Sequence, residues 1–236
     1  MAEATEPRVS VIVPAYRQAD HIAAVIREYA AALAEASIAA EILVIVNGAD
    51  DATYQACATL TTDLAAIRPT LIAERGWGVA VRRGLALAKA DVICYTNAAR
   101  TPAPVLASFM RYAVDHPGTV IKANRHSRVG WQRRLGSTLY NRLCRLLFGI
   151  PWTDVNGTPK VFPRQFHPLV ALTRDDDLID AEFCALCRAH DYPLVELPVA
   201  GAARRAGRST TNYRSAINMY RGAFGLWLQL RRDHRG

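Results

Sequence analysis

The chain has 236 residues, 51% hydrophobic and 21% charged, which is enough to bury a core and excludes a disordered polyelectrolyte or a staple-dependent mini-protein. No window reaches the ~18 uninterrupted apolar residues of a membrane-spanning helix, and the opening MAEATEPR has no apolar run of a secretory signal, so a cytoplasmic chain is expected. The net charge of +8 points to phosphate-bearing partners, and five cysteines, an odd number, predict reduced thiols.

Short β-branched runs alternate with longer helical patterns through the first 125 residues. The pattern predicts a strand at Val9–Pro14, a helix at Asp20–Glu35, a strand at Glu41–Val46 and a helix at Asp51–Ile67. A strand at Thr70–Ala73, a helix at Gly78–Lys89, a strand at Asp91–Tyr95, a helix at Pro104–Asp115 and a strand at Thr119–Ala123 follow. This rhythm is that of a doubly wound, mostly parallel α/β sheet, whose ligands bind beyond the carboxyl ends of the strands. The loops to read are therefore Ala15–Asp20, Asn47–Thr53, Glu74–Gly78 and Thr96–Arg100. The first loop has no glycine and no lysine follows a glycine-rich loop, which argues against a dinucleotide-binding dehydrogenase and a P-loop enzyme.

Beyond residue 125 the pattern predicts a helix over 131–148, a loop over 150–160, a helix over 178–190, a strand at Leu194–Val199 and a final helix over 213–232. Cys184 and Cys187 form a CxxC inside an apolar run without a second pair, and read as core residues rather than zinc ligands. The division of the chain is a catalytic domain over 1–212, with a nucleotide-binding half of about 8–125 and an acceptor half of about 126–212, and a basic C-terminal helix over 213–236.

The positive charge belongs to this second half. His116–Thr153 and Leu197–Arg232 each hold seven basic residues and no acid, leaving 15 basic against 21 acidic side chains elsewhere, a net of −6. Trp131, Leu135, Leu139, Leu143 and Leu146 form one helical stripe, and Tyr213, Ile217, Tyr220, Phe224, Trp227 and Leu228 another, both flanked by arginines. Two basic amphipathic helices of this kind predict contact with a membrane surface, while packing on the core remains the alternative for each. Nucleic acid is not expected, because no binding motif is present and lysine occurs only three times.

Several segments resemble the family 2 glycosyltransferases of GT-A fold. SVIVPAYRQADHI, EILVIVNGADDAT, ERGWGVAVRRGLALAKADVICYTNAA, TDVNGTPKVFPR and LIDAEFCALCRAHDYPLVELPV follow that family's order and spacing from about Val9 to Ser209, most closely the dolichol- and polyprenyl-phosphate sugar synthases. The resemblance implies sugar transfer from a nucleotide-diphosphate sugar to a polyprenyl phosphate or related acceptor, by a chain held peripherally at the inner membrane face, with a membrane-protein partner possible. It implies that Pro14, Tyr16, Asn47 and Gly48 frame the base and ribose, that Gly76, Gly78 and Arg82 close over the nucleotide, and that Arg125, Arg133 and Ser137 hold an acceptor phosphate. Asp180 and Glu182 match its Asp-x-Glu, with Asp180 favoured as base.

One departure is chemical. The family's metal-binding Asp-x-Asp falls on Asn97-Ala98-Ala99, which lacks both carboxylates, so no cofactor is expected although a divalent metal belongs to the family. Charge on the departing diphosphate still has to be balanced. The expected substitutes are Arg100, Lys160, Arg205 and Arg208, with Ser209 in the same diphosphate-binding loop. A catalytically inactive relative, or a scaffold, is the alternative.

Overall fold

The structure, a computed structural model, describes residues 7–125, 131–200 and 213–233. In chain order its elements are β1 (Val9–Ala15), α1 (Ile22–Glu35), β2 (Ala40–Asn47), α2 (Asp51–Ala58), β3 (Ile67–Ile72), α3 (Trp77–Leu87), β4 (Val92–Tyr95), α4 (Ala103–Asp115) and β5 (Val120–Arg125). These are followed by α5 (Trp131–Phe148), β6 (Lys160–Pro163), α6 (His167–Val170), α7 (Ile179–Ala189), β7 (Leu194–Val199) and α8 (Tyr213–Asp233).

The strands form one seven-stranded sheet in the order β3-β2-β1-β4-β6-β5-β7. All pairs are parallel except those of β6, which runs antiparallel to β4 and β5. Side chains alternate across β1 and β2: Val9, Val11, Val13, Ile42 and Val44 pack beneath α1, α2 and α4, whereas Ile12, Leu43 and Ile45 pack beneath α3 and α7. Burial on both faces is why these strands read as continuous apolar runs. The strand order reverses between β1 and β4, and the carboxyl ends of both open onto the same side.

The sequence pattern departs from the structure in four places. α2 ends at Ala58 and a 3-10 turn covers Thr59–Thr62, where the hydroxyls of Thr59 and Thr61 donate to the carbonyls of Ala56 and Ala58 and compete with the helix ladder. β3 begins at Ile67 rather than Thr70, and α6 was not anticipated. β6 was missed altogether, since four residues ending in proline carry no period of their own.

In the two basic helices the apolar stripes of the sequence are only partly buried, with Leu143 and Tyr220 packed against the core. In α5 the buried residues are Tyr140 and Cys144, and Leu135, Leu139 and Leu146 are exposed, Leu146 by 81%. In α8 Ala223 and Leu226 are buried, whereas Phe224 and Leu228 are exposed. Tyr220 donates its hydroxyl to the Gly136 carbonyl at 2.8 Å and meets Tyr140 edge to face at 5.8 Å, so the helices pack on each other. A Cβ on Gly222 would lie 2.3 Å from Leu178 Cδ1, which brings α8 close against the start of α7. No described helix is long and apolar enough to cross a membrane.

Candidate functional site

The ends of β1 and β2 build the first wall. Pro14 sits in β1 opposite Ile45, and Asn47 closes β2 by donating its Nδ2 to the Ala15 carbonyl at 3.1 Å. The next residue, Gly48, has φ +79°, and a Cβ there would lie 2.7 Å from Arg75 Cγ and 3.0 Å from Tyr16 Cε2. Glycine is therefore required by both conformation and space. It lets Arg75 lie over the Tyr16 ring, with its guanidinium 5.5 Å from the centroid, while that of Arg17 lies 5.3 Å away. The sequence reading named Tyr16, Asn47 and Gly48 but missed Arg17 and Arg75, although Arg75 stands beside Gly76 in a segment it had singled out. Asp50 ties the wall together, accepting from the Arg17 amide and the Thr53 hydroxyl, each at 2.5 Å.

Gly76, Gly78 and Arg82 have a different neighbour from the expected nucleotide. A Cβ on Gly78 would come within 2.4 Å of the Arg174 carbonyl oxygen, and one on Gly76 within 2.6 Å of that of Asp175. Val79 donates its amide to the Asp175 carbonyl at 3.1 Å, and Arg82 forms an ion pair with Asp175. The loop through residues 174–176 thus lies on the amino end of α3, and the two glycines admit its backbone.

At the end of β4, Asn97 organises a turn. Its Oδ1 accepts the Ala99 amide at 3.1 Å, and its carbonyl accepts the amides of Arg100 and Thr101, each at 3.0 Å. The Thr96 and Thr101 hydroxyls bond at 2.8 Å, and Tyr29 of α1 donates to the Thr101 carbonyl at 2.8 Å. Ala98 and Ala99 are 0% and 1% exposed. A hard divalent cation needs several oxygen ligands. This turn offers one amide oxygen already in use and two buried methyl groups, so the residues present do not fit Mg²⁺ or Mn²⁺. Among the described residues no group of three or more His, Cys, Asp or Glu side chains could hold a metal ion.

The carboxylates of α7 divide their work because residues two apart on a helix diverge. Asp180 points toward β4 and β6: its Oδ1 receives the Tyr95 hydroxyl at 3.0 Å and the Lys160 ammonium in an ion pair. Burial first, and then the Asp180 charge, push the Tyr95 phenol well above its ordinary value, so the hydroxyl is a donor. The Lys160 ammonium also faces the Tyr95 and Phe183 rings at 5.3 and 5.7 Å. Lys160, expected at the diphosphate, is 0% exposed and paired with Asp180.

Glu182 turns the other way. It accepts the Thr173 amide at 2.9 Å, the Thr173 hydroxyl at 2.6 Å and the Arg174 amide at 3.0 Å. The carboxylate of Glu182, expected as a catalytic group, holds the loop that covers α3.

The expected acceptor-phosphate residues are only partly in view. Arg125 chelates Asp154, with Nε at 2.7 Å and Nη2 at 3.0 Å, and gives Nη2 to the Asn156 carbonyl at 2.7 Å. Burial opposes its charge, but Asp154, with Asp180 behind it, prevails and holds the guanidinium above its ordinary value. Beside it Lys122 pairs with Glu196, which also accepts the Thr153 amide. Ser137 is half-buried on α5. The Arg133 side chain, Arg205, Arg208 and Ser209 lie outside the described residues, and Arg100 is half-buried on the β4 turn.

Residues 10–167 match the model of glycosyl transferase family 2. A curated relative, undecaprenyl-phosphate 4-deoxy-4-formamido-L-arabinose transferase of Aeromonas hydrophila subsp. hydrophila, is 23% identical over 89% of this chain, which spans 65% of that protein. Among solved structures, glucosyl-3-phosphoglycerate synthase of Mycobacterium tuberculosis with Mn²⁺, UDP and glucosyl-3-phosphoglycerate has a TM-score of 0.70 at 16% identity, covering 95% of this chain and 80% of that one. The same enzyme with Mn²⁺, UDP-glucose and glycerol 3-phosphate gives 0.69 at 15% identity, covering 95% and 80%. At such identities the likeness shows the fold.

Against the expected grouping with the polyprenyl-phosphate synthases, and with it the lipid acceptor, the membrane surface, the membrane-protein partner and the place at the inner membrane face, stand the solved structures of glucosyl-3-phosphoglycerate synthase; the curated relative is an undecaprenyl-phosphate transferase. Solved structures of that synthase hold phosphoglyceric acid or glycerol 3-phosphate, which are small and water-soluble. The sheet order, the loops at its carboxyl edge and the family-model match over residues 10–167 make this chain a member of glycosyl transferase family 2.

Proposed function

We propose that the chain moves a glycosyl group from a nucleoside-diphosphate sugar to a hydroxyl of a small, water-soluble, phosphate-bearing acceptor. One observation carries this reading. Asp180 is a nearly buried carboxylate whose Oδ1 is fixed by Lys160 and Tyr95, while its Oδ2 accepts no hydrogen bond among the described residues. A carboxylate held at one oxygen and open at the other can receive a proton without moving.

An alcohol, unlike a phosphate, must lose a proton as it attacks. The acceptor oxygen bonds to the anomeric carbon, the bond from that carbon to the diphosphate oxygen breaks, the proton passes to Asp180 Oδ2 and the nucleoside diphosphate leaves. Tyr16, Asn47 and Gly48 are assigned to the nucleoside, Arg100 to the diphosphate, and Arg125, Arg133 and Ser137 to the acceptor phosphate.

The test is a matrix of UDP- and GDP-sugars against phosphoglyceric acid and glycerol 3-phosphate, with the glycosylated product read by mass spectrometry. One combination should give product, and Asp180→Asn should lower the kcat of the folded fraction, measured below its melting transition, about 10²- to 10⁴-fold. Full turnover by Asp180→Asn would overturn the role of Asp180, and absence of product throughout would overturn the acceptor class.

A further inference from the structure

We infer that this chain binds the diphosphate of its donor without a divalent cation, because the turn where its relatives' Mn²⁺ would be held is closed on itself and lined by methyl groups. The inference rests on the transferase reading above and specifies how that site meets its donor.

Loss of two carboxylates from the sequence could be repaired in three dimensions by carboxylates from other segments. Most acids of the carboxyl-edge loops are engaged elsewhere, Asp177 and the second oxygen of Asp180 excepted. Asp50 is held by the Arg17 amide and the Thr53 hydroxyl. Asp175 pairs with Arg82, and Asp176 pairs with Arg174 and caps the Leu178 amide. Asp180 gives its Oδ1 to Lys160 and Tyr95, and Glu182 is consumed by Thr173 and Arg174. At the turn itself Asn97 uses both of its oxygens on backbone amides, so even a neutral ligand is withdrawn.

A cation placed there would lack anionic oxygens and would meet the buried faces of Ala98 and Ala99. Two negative charges nevertheless develop on a departing diphosphate. A guanidinium can meet them with paired, charge-assisted hydrogen bonds. Arg100 leaves the same turn, its amide fixed by the Asn97 carbonyl at 3.0 Å, so the chain places a permanent cation beside the lost metal position.

The experiment is calorimetric titration of the full chain with UDP and with GDP, once in excess EDTA and once in saturating Mn²⁺, alongside electron paramagnetic resonance of the Mn²⁺ in the second mixture. One nucleotide should bind in EDTA with a dissociation constant no more than about twofold weaker than in Mn²⁺, and the aqueous Mn²⁺ signal, already lowered by the nucleotide itself, should fall no further when protein is added. Binding confined to the Mn²⁺ medium, or tighter there by about tenfold or more, would overturn cation-free binding and leave the transferase reading standing. A further loss of signal when protein is added to the Mn²⁺–nucleotide mixture would do the same. If neither nucleotide binds in either medium, the donor assignment fails and the inference with it.

Discussion

Asp180 and Glu182 show how two carboxylates in one motif come to different work. Both are nearly buried on α7, yet one faces an ammonium and a phenol and the other faces backbone amides. Glu182→Gln keeps an acceptor for those amides but loses the charge, so it should lower stability by about 1–3 kcal/mol while the remaining folded protein keeps most of its kcat. Asp180→Asn leaves the buried Lys160 ammonium without its counter-charge, so it should lower stability by about 3–5 kcal/mol and also abolish most of the kcat of the molecules that remain folded, and thermal melts beside initial rates separate the two variants.

Position 99 gives a second residue-scale expectation. Restoring the family's acid with Ala99→Asp would bury a carboxylate at a site 1% exposed, costing roughly 3 kcal/mol or more and bringing no Mn²⁺-dependent gain in nucleotide affinity. Denaturant melts and the same nucleotide titration check both parts.

Glu196 supplies the pH dependence. Burial raises its carboxyl, but the Lys122 charge and hydrogen bond and the amides of Thr153 and Asp154 outweigh it, so it titrates below its ordinary 4.5. A lowered folded value means stability present above the ordinary value and lost as pH falls through the folded one. Glu196→Gln should therefore flatten the acid limb of Tm against pH below about 4.5.

At the scale of elements, α5 and α8 separate amphipathic pattern from actual packing. Each carries enough apolar residues for two stripes, and the neighbouring helices decide which of those residues are buried. The triple change Leu135→Gln, Leu139→Gln, Leu146→Gln removes the exposed leucines of the stripe that stood out in the sequence. It should change stability by no more than about 0.5 kcal/mol per residue, since all three are exposed. Leu226→Ala, on the inconspicuous face of α8, should cost about 2–5 kcal/mol. Chemical denaturation of the two variants decides between the faces.

β6 is the complementary case, an element that its own four residues do not announce. It forms because β4 and β5 each leave an edge that its antiparallel register fills, and it brings Lys160 opposite Tyr95. Gly157, just before it, would place a Cβ 1.8 Å from the Ala123 carbonyl oxygen. That spacing fixes glycine by backbone approach rather than by turn conformation.

Over the whole molecule, the sheet separates two cores, one beneath α1, α2 and α4 and one beneath α3, α5, α7 and α8. The five cysteines are distributed between them, all reduced and buried. Burial pushes the Cys57 thiol up to about 11 and the Cys144 thiol, opposed in part by Tyr140, up to about 12. Reaction with a thiol-specific disulfide reagent at neutral pH should therefore be slow for the native chain and rapid for all five after denaturation, with the native rate following unfolding.

The amino-acid sequence by itself determined the alternating sheet and helices, the carboxyl-edge loops and the family. Those depend on local period and on short motifs such as Gly76-Trp77-Gly78 and Asp180-Ala181-Glu182, which a linear pattern preserves. Only the tertiary structure decided that Lys160 belongs to Asp180, that Glu182 anchors a loop, that Gly78 admits the backbone of Arg174 and that the turn at Asn97 is closed. Each of these is a contact between segments distant in the chain or a hydrogen bond whose partner depends on backbone geometry. No residue carries its partner's identity in its own type, and packing alone chooses among the carboxylates, cations and apolar faces that composition leaves available.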